Sequence, residues 1–146
     1  MTVIARGLVA GLACVTLIAG CGDGYGTDPD SPVAGTWVAT QFRITPTGQA
    51  QIDALAAGGT LTITIATNNS TSGTISLPAS VTGGAALNAS MAGTASLNGA
   101  NTEVTFTQAA DTFVRDLTWQ RVGNTSLSVS NQTAGSASFT ITLTKQ

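Results

Sequence analysis

The sequence predicts an all-β domain: an antiparallel up-and-down barrel of about eight strands, with a β-sandwich as the alternative architecture. Three observations predict it. Apolar residues alternate with Thr, Ser and Asn at period two through most of the chain after residue 33. Turn-forming pairs such as Asn98-Gly99, Gly123-Asn124 and Ala134-Gly135 punctuate that alternation at short intervals. Charged residues make up only 8% of the chain, so its polar surface must be built from Thr, Ser, Asn and Gln, a usage common in secreted β proteins.

The first strand is expected over residues 35–44, GTWVATQFRI. Trp37 and Ala39 share one face while Phe42 and Ile44 take the opposite parity, and a β-bulge between the pairs would return both to one side. Residues 49–57, QAQIDALAA, place Ile52, Leu55 and Ala56 at helical spacing. With Thr47 as N-cap and Gly58 as stop, they predict a short helix after the first strand. In residues 60–67, Leu61, Ile63 and Ile65 alternate with threonines. Polar residues 68–72 then turn the chain, and Gly73, Ile75 and Leu77 share one face of a third strand ending at Pro78. The alternation from Leu87 through Ala89, Met91, Gly93 and Ala95 to Leu97 is long enough for one bent strand or two short ones. Asn98-Gly99, both tolerant of positive φ, leads into Val104 and Phe106. Phe113, Leu117 and Trp119, then Leu127 and Val129, then Phe139, Ile141 and Leu143 complete the set.

The leading segment has a different character. Arg6 precedes an apolar run over residues 7–20, about 14 residues where a spanning helix needs roughly 20. A positive start, a short apolar middle and small residues before the break describe a secretory signal peptide. The run ends in Ile18-Ala19-Gly20-Cys21, which resembles the bacterial lipobox. That resemblance implies cleavage between Gly20 and Cys21, a diacylglyceryl group on the Cys21 thiol, and acylation of the new amine by a chain such as palmitate. Cys14 leaves with the peptide, so the mature chain has one cysteine, committed to lipid, and no internal disulfide. Two or more acyl chains anchor stably. Residues 22–32, GDGYGTDPDSP, have no apolar periodicity and lack the ligand spacing of a calcium loop, so they are expected to be a flexible tether. The expected organisation is signal peptide 1–20, tether 21–32 and barrel domain 33–146.

Gly35-Thr36-Trp37 at the start of the first strand, followed by about eight antiparallel strands, resembles the lipocalin-like barrels over residues 33–146. The Thr-Asp-Tyr-like turn and the disulfides of that family are absent. The resemblance implies barrel closure at Trp37 by a late-strand arginine stacked on the indole, a role that falls to Arg121. It also implies a small apolar ligand in the interior. Arg115 and Arg121 share parity with Phe113, Leu117 and Trp119, so a regular strand would point them inward. There Arg115, with Trp119 beside it, would take the carboxylate of an acidic apolar ligand. The alternative places both arginines near strand ends with their heads in water. Small inward residues (Ala89, Gly93, Ala95) suggest interior space, whereas Trp37, Phe106, Phe113, Trp119 and Phe139 would fill it.

Little chemistry is available. There is no histidine, and the one lysine, Lys145, sits beside the terminus, where fraying is expected. Asp53, Glu103, Asp111 and Asp116 show no spacing that selects a catalytic pair. No enzyme activity, cofactor or metal site is expected. From residue 32 onward four acids balance four bases, which leaves no basic stripe for nucleic acid. The Asn-x-Ser/Thr triplets at Asn68, Asn69, Asn88, Asn124 and Asn131 follow from a Ser/Thr/Asn-rich surface.

The expected function is that of a lipid-anchored cell-envelope lipoprotein whose barrel binds a small apolar ligand. The alternative is a structural or protein-interaction module with a self-filled interior, since eight strands permit either. Gly22, in place of an acid after Cys21, favours the outer membrane, facing the periplasm, if the cell is Gram-negative. No feature identifies a protein partner.

Overall fold

The computed structural model describes residues 31–146; Gly20, Cys21 and the rest of the leader and lipobox lie outside the described residues. Period-two burial sets the strands. Leu61, Ile63 and Ile65 are buried on β3 (Thr60–Ile65) while the threonines between them face out. Phe139, Ile141 and Leu143 do the same on β10 (Ala137–Lys145). The other strands are β1 (Gly35–Pro46), β2 (Ile52–Asp53), β4 (Ser70–Leu77), β5 (Leu87–Ser90), β6 (Gly93–Leu97), β7 (Glu103–Gln108), β8 (Trp119–Val122) and β9 (Ser126–Ala134).

Strands β5 and β6 are one wall strand in two pieces. Both pair with β4 in a single unbroken register, from Leu77↔Leu87 to Ser70↔Thr94. Between them the Met91 N–H donates to the Gly73 carbonyl at 3.0 Å. The wall therefore runs β1, β3, β4, β5–β6, β7, β8, β9, β10, each antiparallel to its neighbour in the chain. It closes where β10 returns to β1, from Trp37↔Lys145 to Pro46↔Ala137. That last pairing decides between the two architectures. The protein is a closed, eight-stranded antiparallel barrel.

The β1–β10 register shifts between Ala39 and Gln41, which is the bulge that the parity of the first strand demands. Trp37, Phe42 and Ile44 all face the core as a result. Gly93 serves a close approach, not a cavity: a Cβ there would collide with the Thr107 carbonyl on β7.

The barrel carries one short α-helix, α1 (Ala79–Thr82), which follows the first strand in chain order but lies between β4 and β5. Residues 49–57, where the spacing predicts the helix, form β2 and a run of turns instead. Ile52 and Asp53 pair with Ile44 and Arg43 on β1, so the segment is tied into the wall before it can coil. Asp53 Oδ1 then accepts the Ala56 N–H at 3.1 Å, and Ala57 N–H returns to the Asp53 carbonyl. Nine residues cannot propagate beyond that single turn when a strand competes for the first of them. The predicted N-cap, Thr47, bonds across the barrel rim to the Ser136 carbonyl.

The two ends of the barrel differ. At one end lie the chain entry at residues 31–34, the start of β1 and the end of β10, with the tight turns after β3, β6 and β8. At the other end lie the end of β1, α1, and a 3-10 helix, η1 (Phe113–Asp116), that fills the connection from β7 to β8. Strand β8 pairs with β7 only at Val104↔Trp119 and Glu103↔Gln120. Beyond those residues the segment entering β8 is held to β9 instead, by a side chain: the Gln132 amide accepts the Thr118 N–H at 2.9 Å and donates to the Thr118 carbonyl at 2.5 Å.

Candidate functional site

Trp37 sits at the closed end and is fully buried, its Nε1 donating to the Val33 carbonyl at 2.8 Å. Val33 is itself fully buried, so the entering chain plugs this end. The cation over the indole is Lys145, whose Nζ lies 5.8 Å from the ring centroid. Arg121, which the lipocalin-like resemblance assigns to that position, is engaged elsewhere. Its Nη1 donates to the Asn101 carbonyl at 3.1 Å and its Nη2 to Asn124 Oδ1, tying together the turns after β6 and β8. Lys145 takes the place because β10 stays paired to its last residues, with Lys145 opposite Trp37. Gly35 makes room for it: a Cβ there would collide with the Lys145 stem, and the backbone holds φ at +139°. The Gly and the Trp of Gly35-Thr36-Trp37 thus share one task, seating a lysine across an indole.

Arg115 and Trp119 do not come together as a ligand site. Thr112 leaves the strand path into η1, which breaks the parity that would have turned Arg115 inward. Its guanidinium faces solvent and pairs with Asp111 at 2.5 Å and Asp116 at 3.8 Å. Trp119 is fully buried, its ring edge-on to Phe106 at 5.9 Å. It packs the core, with Leu127, Ile141 and Leu143 among the other side chains closed to solvent.

The remaining side-chain carboxylates among the described residues hold turns and strands. Asp53 caps the turn after β2, and Glu103 accepts from Gln120 Nε2 at 3.0 Å and from Asn98 Nδ2 at 3.3 Å. Among the described residues no three His, Cys, Asp or Glu side chains gather as a metal-binding group.

The open end has unfilled space. Phe113 from η1 stacks on Phe139 with centroids 4.2 Å apart and meets Phe42 at 5.9 Å, forming an aromatic lid over the core. Beside that lid a cavity of about 200 Å³ opens between Phe113 and Phe139 on one side and Leu77, Val81 and Leu87 on the other. Pro46, Thr82 and Ser136 lie on its lining as well. No lining residue is charged. The alternation names Ile44, Leu77, Leu87, Phe113 and Phe139 as strand residues but does not gather them at one place, although one signal marks it: Pro78 opens α1, and Gly83 closes it with its N–H on the Ala79 carbonyl. Comparison with protein-family models, with curated proteins and with solved structures yields no match.

Proposed function

We propose that the protein is a lipid-anchored, non-enzymatic module of the cell envelope, a lipocalin-like barrel filled by its own side chains that displays its open end to a partner. The packing of the interior carries this reading. Trp37, Phe42, Trp119, Ile63, Leu127 and Ile141 are each less than 2% exposed and meet across the barrel, so a lipid-sized ligand would have to displace them. Burial of side chains of this size stabilises by roughly 1.5–3 kcal/mol each, which opposes such displacement. The lipobox-like Ile18-Ala19-Gly20-Cys21 supports anchoring at Cys21, and Gly22 supports the outer membrane, facing the periplasm, if the cell is Gram-negative. The chain enters the barrel at its closed end, so a tether from Cys21 favours an open end turned away from the bilayer. Nothing basic recommends nucleic acid.

Two measurements test this. Cys21→Ala should release the protein from membranes that retain the wild type after alkaline washing; equal retention would defeat the anchor. Native mass spectrometry of the protein from its own host should give the lipidated chain alone. A reproducible extra mass the size of a fatty acid would overturn the self-filled barrel.

A further inference from the structure

We propose that the outer edge of β5 is a strand-addition site, where an extended segment of another protein pairs with the wall through its backbone. The inference rests on the reading of the barrel as a module that shows its open end to a partner, and it names the surface and the chemistry of that partner. Hydrogen-bond parity sets the site. The Met91 N–H donates to the Gly73 carbonyl at 3.0 Å and the Ala95 N–H to the Asn69 carbonyl at 2.8 Å, so the odd-numbered residues of the β5–β6 strand face β4. Even-numbered residues face the other way, where Thr94 and Ser96 meet Thr107 and Thr105 of β7. That pairing ends at Gly93↔Gln108, and β5 pairs with β4 alone. The Ala92 N–H is taken by Ser90 Oγ at 3.2 Å. The backbone N–H and C=O of Asn88 and Ser90 are left pointing outward with no partner among the described residues, and both residues are exposed.

The side chains give a second, independent observation. Leu87 and Ala89 face the interior with their β4 partners Leu77 and Ile75. Ile75 and Leu77 are 1% and 2% exposed, whereas Leu87 and Ala89 are only half-buried. The inner face is uncovered where the backbone is bare. A segment laid antiparallel along β5 would meet both needs: its backbone bonds to Asn88 and Ser90, and its residues opposite Leu87 and Ala89 turn inward beside them. The segment that fits alternates apolar with polar side chains. Natural edges are blocked by charge, proline or a bulge, and β5 has none of these. The unpaired stretch at the end of β9 is blocked, because Asn131 sits at φ +49° within a register shift and Gln132 spends its side chain on Thr118.

Other occupants fit less well. A second copy could pair β5 with β5 about Ala89, but the two-fold axis of that pair stands perpendicular to the shared sheet and inverts the barrel axis. The two closed ends, where the chains enter, would then point in opposite directions, which opposes anchoring of both copies in one membrane. The chain's own residues 22–30 have no apolar alternation and join the barrel at its closed end, whereas β5 follows α1 at the open end. Strands β4 and β5 hold no charged residue, so backbone pairing and not charge selects the partner, and salt should leave binding unchanged.

The probe is the peptide acetyl-Thr-Val-Thr-Val-Thr-amide. In ¹H–¹⁵N spectra of the full chain carrying Cys21→Ala, it should shift the amides of Asn88 and Ser90 along a saturable curve, while those of Ile63 and Thr133 stay in place. The same peptide N-methylated at its threonines, which lie opposite Asn88 and Ser90 when a valine faces Ala89, should bind about tenfold more weakly. Ser90→Pro should have an equal effect, since it deletes an N–H that β4 does not use. Ala89→Lys, an inward charge on the edge, serves if Ser90→Pro loses its dispersed spectrum and should weaken the peptide severalfold. The site is overturned if Asn88 and Ser90 do not respond, if the methylated peptide binds as well as the parent, or if the folded variant keeps full affinity. Shifts at Asn88 and Ser90 that grow with protein concentration in the absence of peptide would overturn it in favour of a second copy. A bound fatty acid would overturn the self-filled interior alone, and membrane retention of Cys21→Ala the anchor alone.

Discussion

The two ends of this barrel solve the same problem by opposite means. At the closed end one large side chain is locked by three partners: the Val33 carbonyl on its indole nitrogen, Lys145 across its face, and Gly35 giving the lysine room. At the open end the wall is incomplete, and a 3-10 turn, a four-residue helix and a stack of phenyl rings cover the gap without filling it. Regular strand pairing gives a tight end, and its interruption gives a cavity. Candidate function follows the interruption.

That contrast can be broken most directly at Trp37. Trp37→Ala should cost about 3–5 kcal/mol in denaturant unfolding, as a large fully buried side chain lost from a site with no room to collapse. Phe113→Ala should cost less, about 1–3 kcal/mol, because the ring is only half-buried and loses mainly its stacking and partial burial. Equal costs at the two positions would mean that the open end is packed as firmly as the closed one.

The identity of the closing cation comes next in size. Lys145→Ala should cost about 0.5–1 kcal/mol and couple to Trp37→Ala in a double-mutant cycle by about 0.5 kcal/mol. Arg121→Ala combined with Trp37→Ala should be additive within about 0.5 kcal/mol, since the Arg121 Nη1 and Nη2 groups are engaged with Asn101 and Asn124. Coupling at Arg121 and none at Lys145 would reverse the assignment. The smallest effect belongs to Arg115→Ala. Its partner Asp111 is 87% exposed, so the loss should stay below about 0.5 kcal/mol and shrink further in high salt.

The strands and the bulge of β1 were legible in the sequence because alternation reports directly on which side of a wall each residue faces. Trp37 and Phe42 cannot both be buried without an extra residue between them, and Thr40 supplies it. The helix was displaced for the opposite reason. Ile52, Leu55 and Ala56 match one helical turn as well as they match a strand end followed by turns, and only the pairing of Ile52 with Ile44 separates the two. At the site, Arg115 and Arg121 were placed by carrying one parity from Phe113 to Arg121, across a segment that is not a strand. The role of Lys145 depended on whether the last strand stays paired to its end, which is a property of β1 as much as of residue 145. The cavity residues come from four stretches of sequence with no shared pattern, so only the Pro78 and Gly83 boundaries of α1 mark the place locally.

The β1–β10 pairing also governs how the barrel comes into being. Every other wall contact joins strands that are neighbours in the chain, and each could form as soon as its second strand is made. The seam joins Trp37 to Lys145, across nearly the whole domain, and its loop entropy falls due in a single step. Until the final strand is present the molecule is an open sheet with two bare edges, the condition in which β proteins recruit one another. The last nine strand residues therefore act as the latch of the whole domain: a chain shortened before Ala137 is left with β1 and β9 as bare edges, and self-association is the outcome to expect.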